Sequence, residues 1–580
     1  MRGRPMFHRP LAFASMLLLT AGGDAAPRGG PDADGRASAA PAPSPVLAAM
    51  QQELARSMET LKSRPLPAYF LSYEINDRRS VTVQGAFGTI NTSGAYRSRS
   101  LGVDLRVGSS RFDNTHQIRG GMPSFDAGER FTFAQVPIDN EVSAIRRVLW
   151  YQTDNKYKRA VERYTRAKAN AQVRVAAEDS SADFSFEPAV SASDPLVDVT
   201  LDRRAWEAKI RRYTAPFART DDIYDGEAVL TAEHETRWYV NSDGSALQTS
   251  SVLYRLVISA SAKAADGMVL PRYESFLAST AAGLPDDAAV LQAVSRMITD
   301  LRALKVAPVV DAITVPAILS GRASGVFFHE VFGHRVEGHR QKVETEGQTF
   351  KKMLGVKVLP DAFSVYFDPT LKRLGNVELA GYYLYDDEGV KARRINVVEN
   401  GVFRNFLMSR SPIAGFDHSN GHGRAAPGFA PVARQSNLVV ASTMAVSHDS
   451  LKKMLIGLIK EQRKPYGLIF DDIEGGFTIT QRTIPNAFNV LPVMVYRIFP
   501  DGREELVRGV DLVGTPLTVF SRVVAADNVT RVFNGVCGAE SGGVPVSASS
   551  PAILISQVEV QRKDKSQEQA PILPVPRVQP

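Results

Sequence analysis

The chain has 580 residues, 44% of them hydrophobic and 23% charged, a balance typical of folded globular proteins, and its length is enough for two or more hydrophobic cores. Lys and Arg (69) exceed Asp and Glu (62) by seven charges, and these are spread along the chain rather than clustered as in a nucleic-acid-binding protein. The single cysteine, Cys537, excludes an intrachain disulfide scaffold.

The first 26 residues have the pattern of a secretory signal peptide. Three arginines precede an apolar run from Leu11 to Leu19, and small residues from Ala21 to Ala26 follow it. The run is shorter than the roughly 20 apolar residues that a bilayer span requires, and we expect no membrane span later in the chain. A buried N-terminal helix is the alternative. The sequence therefore predicts an exported protein, periplasmic or secreted.

Residues 27–46 form a predicted flexible linker, because Pro, Gly, Ala, Ser and Asp dominate it. A mixed α/β N-terminal domain is predicted for residues 47–305. It begins with a helix after Ser44-Pro45, continues with strands at Tyr69–Ile75 and Val81–Phe87, and ends with a helix that opens at Asp286-Asp287.

A second long helix of this domain is predicted for Val142–Ala169. Basic side chains surround its apolar positions, which is compatible with a nucleic-acid or membrane-surface partner. A solvated face is the more common structure of such a charge run. We therefore expect no nucleic-acid partner.

Residues 306–562 form a predicted β-rich, mainly antiparallel domain, so the fold class is α+β, and the tail 563–580 is predicted to be disordered. Asn400-Gly401 and Asp501-Gly502 each lie between strand-like runs and predict hairpins. Residues 516–524 and 552–560 are also predicted to be strands. Ser450–Gln462 is a predicted helix.

The sharpest local motif is His329-Glu330-x-x-x-His334, one residue longer than the H-E-x-x-H pattern of zinc proteases. At about 100° per residue, five steps place the two histidines roughly 140° apart around a regular helix, so they cannot both reach one metal. A local π-type widening, helped by the flexible backbone of Gly333, would realign them. The spacing therefore predicts a distorted helix around a metal, and a helix with satisfied core histidines is the alternative.

A catalytic zinc has a third protein ligand and an open position for water. Cys537 lies between glycines, where the backbone can approach closely, and is either that ligand or a small buried hydrophobe. Glu337, one turn beyond His334, is a hydrogen-bond partner for an imidazole N–H or a surface glutamate. His339 is interpreted as a surface or substrate-side residue.

Asp386, Asp387 and Glu388 form an acidic cluster that precedes Gly389. Three adjacent carboxylates are compatible with a calcium-like site. Such a run before a glycine is more often a solvated turn.

Several ordered motifs of the second half resemble the TldD/PmbA metalloproteases. They are 313–321, His329-Glu330-x-x-Gly333-His334-x-x-Glu337-Gly338, 386–389, Asn400-Gly401, Arg434-x-x-Asn437, 534–538 and 544–546. The resemblance implies one zinc per chain, bound by His329, His334 and Cys537, with Glu330 as catalytic base. It also implies a homodimer, or a heterodimer with a related chain, that cleaves unfolded or extended peptides. The export signal and the longer N-terminal half depart from the family's usual pattern.

The sequence thus predicts an exported zinc metallopeptidase. The family also includes members without the metal motif, so a catalytically silent, peptide-binding partner subunit of the same fold is the alternative. A structural envelope protein with accidental histidines is a third hypothesis.

Overall fold

The computed structural model describes residues 44–118, 134–173, 179–482 and 488–563, together with Leu573 and Pro576. The predicted signal peptide, most of the predicted linker and nearly all of the predicted tail lie outside these residues. No helix within the described ranges is long and apolar enough to cross a membrane.

The N-terminal region is built on one large sheet with the strand order β3-β2-β1-β6-β7-β5, in which β4 pairs with β2 and β8 with β7. Its strands are β1 (Ala68–Ala86), β2 (Thr89–Ser109), β3 (Phe112–Asp113), β4 (Ala134–Gln135), β5 (Ser191–Ser193), β6 (Asp225–Asn241), β7 (Ala246–Lys263) and β8 (Val269–Ala278). The two strands predicted at Tyr69–Ile75 and Val81–Phe87 are one strand, β1. Its polar middle stays in the sheet because Asp77 pairs with Arg97 and Arg99 of β2, at 2.7 and 2.6 Å.

Four helices pack on this sheet: α1 (Pro45–Leu61), α2 (Val142–Val173), α3 (Arg203–Ala218) and α4 (Asp287–Val306). The Ser44 side chain caps α1, which begins two residues before the predicted start of the domain, so residues 45–46 are helical rather than linker. Helix α3 was not predicted, because arginine pairs at 203–204 and 211–212 interrupt its apolar positions. Helices α1 and α2 cover one part of the sheet, and α3 and α4 cover another.

The C-terminal region contains two larger sheets. Its strands are β9 (Ile313–Leu319), β10 (Phe363–Phe367), β11 (Arg373–Leu374), β12 (Val377–Glu378), β13 (Ile395–Glu399), β14 (Val402–Phe403), β15 (Gly423–Arg424), β16 (Val432–Ala433), β17 (Asn437–Ser442), β18 (Ala445–Val446), β19 (Gly467–Thr478), β20 (Phe488–Ile498), β21 (Glu504–Val507), β22 (Val510–Gly514), β23 (Val523–Asp527), β24 (Arg531–Ala539), β25 (Gly542–Ser550) and β26 (Ile553–Arg562). Its helices are α5 (Gly321–Val331), α6 (His339–Lys342), α7 (His448–Glu461) and α8 (Pro516–Phe520), with a short 3₁₀ turn at Gly333–Arg335. Another 3₁₀ turn, Ala281–Gly283, lies before α4 in the N-terminal region.

The first of these sheets has the order β14-β13-β10-β17-β25-β24, and the second has the order β18-β23-β26-β22-β20-β19-β9. Because β26 also pairs with β9, the strands from β26 to β9 close a ring. Most pairings are antiparallel, although β9 and β19 run parallel. The α+β class is therefore confirmed. The sheets of the two regions lie on either side of the predicted boundary at residues 305–306.

Local turn chemistry explains the two hairpins. Asn400 and Gly401 have φ values of 47° and 77°, as a type I′ turn requires, and they join β13 to β14. Asp501-Gly502 joins β20 to β21. The strand predicted for residues 516–524 is wrong in its first part: Pro516 opens α8, and β23 begins only at Val523.

Candidate metal centre

Helix α5, which carries His329 and Glu330, is buried between the two C-terminal sheets. Small residues let it lie directly on β25, because a Cβ at Gly321 or Gly325 would come within 2.6 or 2.7 Å of a β25 carbonyl oxygen. On another side, a Cβ at Gly476 of β19 would lie 2.7 Å from Cγ of Glu330. The close approach of these backbones holds the helix in one position.

The way in which α5 ends allows His329 and His334, which are five residues apart in the sequence, to lie close together. The helix stops at Val331, Phe332 caps it with its N–H bonded to the carbonyl oxygen of Phe328, and His334 lies in the 3₁₀ turn that follows. The predicted π-type widening is therefore wrong: the helix ends instead. Gly333 is needed for space, since a Cβ there would lie 1.9 Å from Oε1 of Gln435. The imidazole rings of His329 and His334 are 5.0 Å apart and nearly perpendicular.

Strand β24 supplies the third predicted ligand. Cys537 pairs with Val544 of β25, and its Sγ lies 3.3 Å from Nε2 of His334. One ligand atom each of His329, His334 and Cys537 lies within 4.8 Å of the other two, although Cys537 is more than 200 residues away from both histidines. The structure thus brings together the residues that the sequence analysis named as ligands.

This donor set fits zinc. Two imidazoles and a thiolate are ligands that catalytic zinc sites use, with a fourth position left open. All three side chains are buried, and Nδ1 of His329 has no hydrogen-bond partner among the described residues. Glu330, adjacent to His329, also has a buried oxygen, Oε2, without a partner, and this atom lies 4.0 Å from Nε2 of His334.

Glu337 lies where the sequence analysis expected a partner of an imidazole. Its Oε2 is 3.3 Å from Nδ1 of His334 and accepts a hydrogen bond of 2.8 Å from Nε of Arg340. Arg340 also donates to Glu540, which in turn pairs with His339. The surface interpretation of His339 is therefore wrong: its side chain is 13% exposed and hydrogen-bonded to Glu540.

The sequence analysis missed the role of Arg434 and Gln435. Nη2 of Arg434 donates to the carbonyl oxygen of Cys537 at 2.7 Å and to its Sγ at 3.2 Å, and Nε2 of Gln435 donates to the carbonyl oxygen of His329 at 3.3 Å. The sequence signal that could have indicated these residues is the polar run Arg434-Gln435-Ser436-Asn437. In the structure this run is fully buried. A run of this kind inside a β-rich core requires specific partners.

Arg335 completes the end of α5. Its guanidinium donates to the carbonyl oxygen of Glu330 at 2.8 Å and to Oγ1 of Thr478 at 2.7 Å. The last carbonyls of a helix lack partners within it, so this contact satisfies one of them and ties the helix end to β19.

The neighbouring charges change the pKa values of this group. Burial opposes the ionised form of Cys537, but His334 and Arg434 outweigh it and hold its pKa well below the ordinary value. Burial likewise opposes the charged form of His334, while the Cys537 sulfur and Glu337 raise its pKa to about 10. Burial raises the pKa of Glu330 to about 7. A carboxyl of this kind can both accept and donate a proton near neutral pH.

Asp386 and Glu388 of the acidic cluster are buried, and Asp387 between them is half-buried, so the cluster is not a solvated turn. Asp386 accepts hydrogen bonds from the backbone N–H groups of Val390 and Gly423, at 2.8 and 2.9 Å, and Glu388 accepts one from that of Arg410, at 2.7 Å. These bonds give both oxygens of Asp386 and one oxygen of Glu388 partners within the chain. The interpretation as a solvated turn is therefore wrong.

Comparisons with known proteins agree with this fold. The family model for the PmbA/TldA metallopeptidase C-terminal domain matches residues 313–562. A metalloprotease of Archaeoglobus fulgidus is 30% identical over 237 residues, which are 41% of this chain and 51% of the relative. A zinc metalloprotease TldD homolog of Saccharolobus solfataricus is 23% identical over 250 residues, 42% of this chain and 51% of the relative. The chain thus spans about half the length of the curated relatives it matches.

Likeness in structure extends further than likeness in sequence. TldE from Thermococcus kodakarensis aligns over 88% of this chain and 100% of its own, with a TM-score of 0.56 and 13% identity. The fold is α+β, and its C-terminal region holds the His/His/Cys group. The likeness in sequence to the PmbA/TldA metallopeptidases lies in residues 313–562, less than half of the chain.

Proposed function

We propose that the chain is an exported zinc metallopeptidase that cleaves unfolded or extended peptides. The observation that carries the proposal is the convergence of His329, His334 and Cys537, with ligand atoms within 4.8 Å of one another, directly beside Glu330. The name of the Saccharolobus relative, a zinc metalloprotease, supports zinc as the metal. One zinc per chain would be held by these three side chains.

Each residue has a distinct task in this mechanism. Zinc supplies Lewis acidity toward water and toward the scissile carbonyl. Glu330 accepts the proton of the attacking water and passes it to the leaving nitrogen, a task for which its pKa of about 7 is suited. Glu337 accepts a hydrogen bond from Nδ1 of His334, which would orient the ring so that Nε2 faces the metal position.

Burial supports the proposed substrate class. His329, Glu330, His334 and Cys537 are each at most 2% exposed. A folded protein cannot bring a peptide bond to such a position, whereas an extended chain can enter through a narrow opening. The likeness to TldE supports a dimer with a second copy or a related chain. The export pattern of residues 1–26 supports a periplasmic or secreted location.

The alternative function is a silent peptide-binding subunit. A subunit without catalysis has no need for a complete ligand set with an adjacent carboxylate. The presence of all four residues therefore favours the peptidase.

Replacing the proposed base tests this function. The variant Glu330→Gln keeps the size and loses the proton acceptor, so we expect it to retain zinc and to lose about 100-fold or more of the turnover of a quenched-fluorescent unfolded peptide. Glu474→Gln is the matched control, since Glu474 lies on the adjacent strand β19, and it should retain wild-type turnover. A Glu330→Gln variant as active as wild type would contradict the mechanism. Zinc binding without any peptide cleavage by the wild type would favour the silent subunit.

A further inference from the structure

Arg434 is the buried cation that connects two of the proposed ligands. The residue is 0% exposed. Its Nη2 contacts both the carbonyl oxygen and the Sγ of Cys537, at 2.7 and 3.2 Å. Its Nε lies 3.5 Å from Oε1 of Glu337, whose other oxygen contacts His334.

We propose that Arg434 is a positioning residue of the metal centre, which holds the sulfur of Cys537 and, through Glu337, the imidazole of His334 in the orientation that binds zinc. The proposal rests on the metal centre of the proposed function and does not depend on peptidase activity.

The geometry restricts the cysteine side chain. A single nitrogen that bonds both the carbonyl oxygen and the sulfur of one residue fixes where that sulfur points relative to the strand. Nη1 of Arg434 is itself anchored on Oγ of Ser541, at 2.8 Å, and on the carbonyl oxygen of Gly542, at 3.1 Å. Both lie where β24 leads into β25, so the guanidinium, the sulfur and the hairpin form one rigid unit.

The charges in contact with Arg434 also support its role as a positioning residue. A buried guanidinium is costly unless opposite charge balances it. The anionic groups in contact with Arg434 are the sulfur of Cys537 and the carboxylate of Glu337, and Oε1 of Glu337 has no hydrogen-bond partner among the described residues. The burial of this cation is thus compensated by groups of the metal centre itself.

A second buried arginine provides a matched control. Arg424 is 7% exposed, and its Nη1 donates to the carbonyl oxygens of Gln435 and Pro545, both at 2.7 Å. It lies beside the same segment, and no hydrogen bond joins it to any of the three ligands in the described part of the chain. Loss of Arg424 therefore reports the general effect of removing a buried guanidinium here.

The test measures metal binding rather than activity. We compare wild type, Arg434→Met, Arg434→Lys and Arg424→Met by competition for zinc with a chelator and by the thiolate-to-cobalt absorption band of the cobalt-loaded protein. Loss of a group that orients a ligand typically weakens metal affinity 10–100-fold, which we expect for Arg434→Met together with a shifted or weakened cobalt band. Arg434→Lys keeps the charge without the planar fork, so it should fold and show an intermediate loss. Arg424→Met should stay within about threefold of wild type.

Two results would overturn the proposal. One is wild-type zinc affinity and an unchanged cobalt band in the folded Arg434 variants. The other is an equal loss of affinity in Arg424→Met, which would make the effect one of general packing. If wild type binds neither metal, the proposed function fails as well, whereas metal binding that is insensitive to Arg434 contradicts only this inference.

Discussion

Burial in this fold changes the pKa values of several ionisable side chains, and Glu388 is one of them. Glu388 is 8% exposed and accepts a hydrogen bond from the backbone N–H of Arg410. Burial, followed by the neighbouring Asp386, raises its pKa above the ordinary value. A carboxyl of this kind is protonated in the folded chain at pH values where the unfolded chain has lost the proton.

The sign of the resulting pH dependence follows from this difference. A raised pKa in the folded state gives stability that is fully present below the unfolded pKa, about 4.3 for Glu, and is lost as the pH rises through the folded value. We therefore expect the free energy of unfolding to fall between pH 5 and 8, and Glu388→Gln, which resembles the protonated form, to show a smaller fall. Denaturant titrations at several pH values measure this.

An exposed glutamate serves as the control for that measurement. Arg497 lowers the pKa of Glu505, so Glu505 titrates below the window, and Glu505→Gln should keep the wild-type slope between pH 5 and 8. An equal slope in wild type and Glu388→Gln would show that Glu388 is ionised in the folded protein.

At the scale of elements, the position of α5 depends on small residues. Gly325 faces the backbone of β25, and a Cβ there would lie 2.7 Å from the carbonyl oxygen of Ala548. A backbone atom in a sheet cannot move aside as a flexible side chain can. The register of α5 against β25 in turn determines where His329 lies relative to Cys537.

The same substitution in two helices should have opposite effects. Gly325→Ala overpacks the contact with β25, and we expect it to lower the free energy of unfolding by about 1–3 kcal/mol. Gly457, in the exposed face of α7, has open space around its Cβ position, so Gly457→Ala should raise stability by about 1 kcal/mol through helix propensity. Chemical denaturation measures both, and a neutral Gly325→Ala would mean that α5 is free to shift.

Elements with local causes could be predicted from the sequence, whereas those with distant partners could not. The hairpin at Asn400-Gly401 and the start of α1 after Ser44 follow from turn and cap chemistry. The continuity of β1 depends on Asp77, whose arginine partners lie 20 and 22 residues away. No local sequence pattern indicates that Asp77 pairs with these arginines.

The candidate site likewise contains residues that a local motif indicates and residues whose role depends on distant partners. His329, Glu330 and His334 form a motif that is visible in the sequence. For Cys537 the sequence left open a ligand or a small buried hydrophobe, and the resemblance to a family favoured the ligand. The contact of Arg434 with Cys537 spans 103 residues, and the way α5 ends before His334 depends on packing against Gln435. The Arg434–Cys537 contact and the end of α5 both depend on contacts between segments that are distant in the sequence.

At the scale of the whole molecule, buried ion pairs join the N-terminal and C-terminal regions. Arg410 donates to Asp243 at 2.6 Å and to the carbonyl oxygen of Ser185 at 2.9 Å. Its guanidinium also lies over the rings of Phe184 and Phe70. Arg272 of β8 forms a second connection, to Asp472 of β19, at 2.8 Å.

Removal of the first connection should destabilise the whole chain. Arg410→Met leaves Asp243 without its partner, and we expect a loss of about 2–5 kcal/mol in the free energy of unfolding. Arg79→Met is the control, because the side chains of Arg79 and its partner Asp198 are 41% and 62% exposed, and it should change stability by no more than about 1 kcal/mol. Denaturation followed by fluorescence compares them, and equal effects would contradict a specific role for Arg410.

The central claim is a zinc centre made by His329, His334 and Cys537, and the metal content of the purified chain tests it most directly. We expect about one zinc per chain in protein prepared without chelators, and loss of most of that zinc in Cys537→Ser, because a serine hydroxyl is a much poorer zinc ligand than a thiolate. A folded wild-type chain without zinc, or a Cys537→Ser variant that retains the full amount, would contradict the claim.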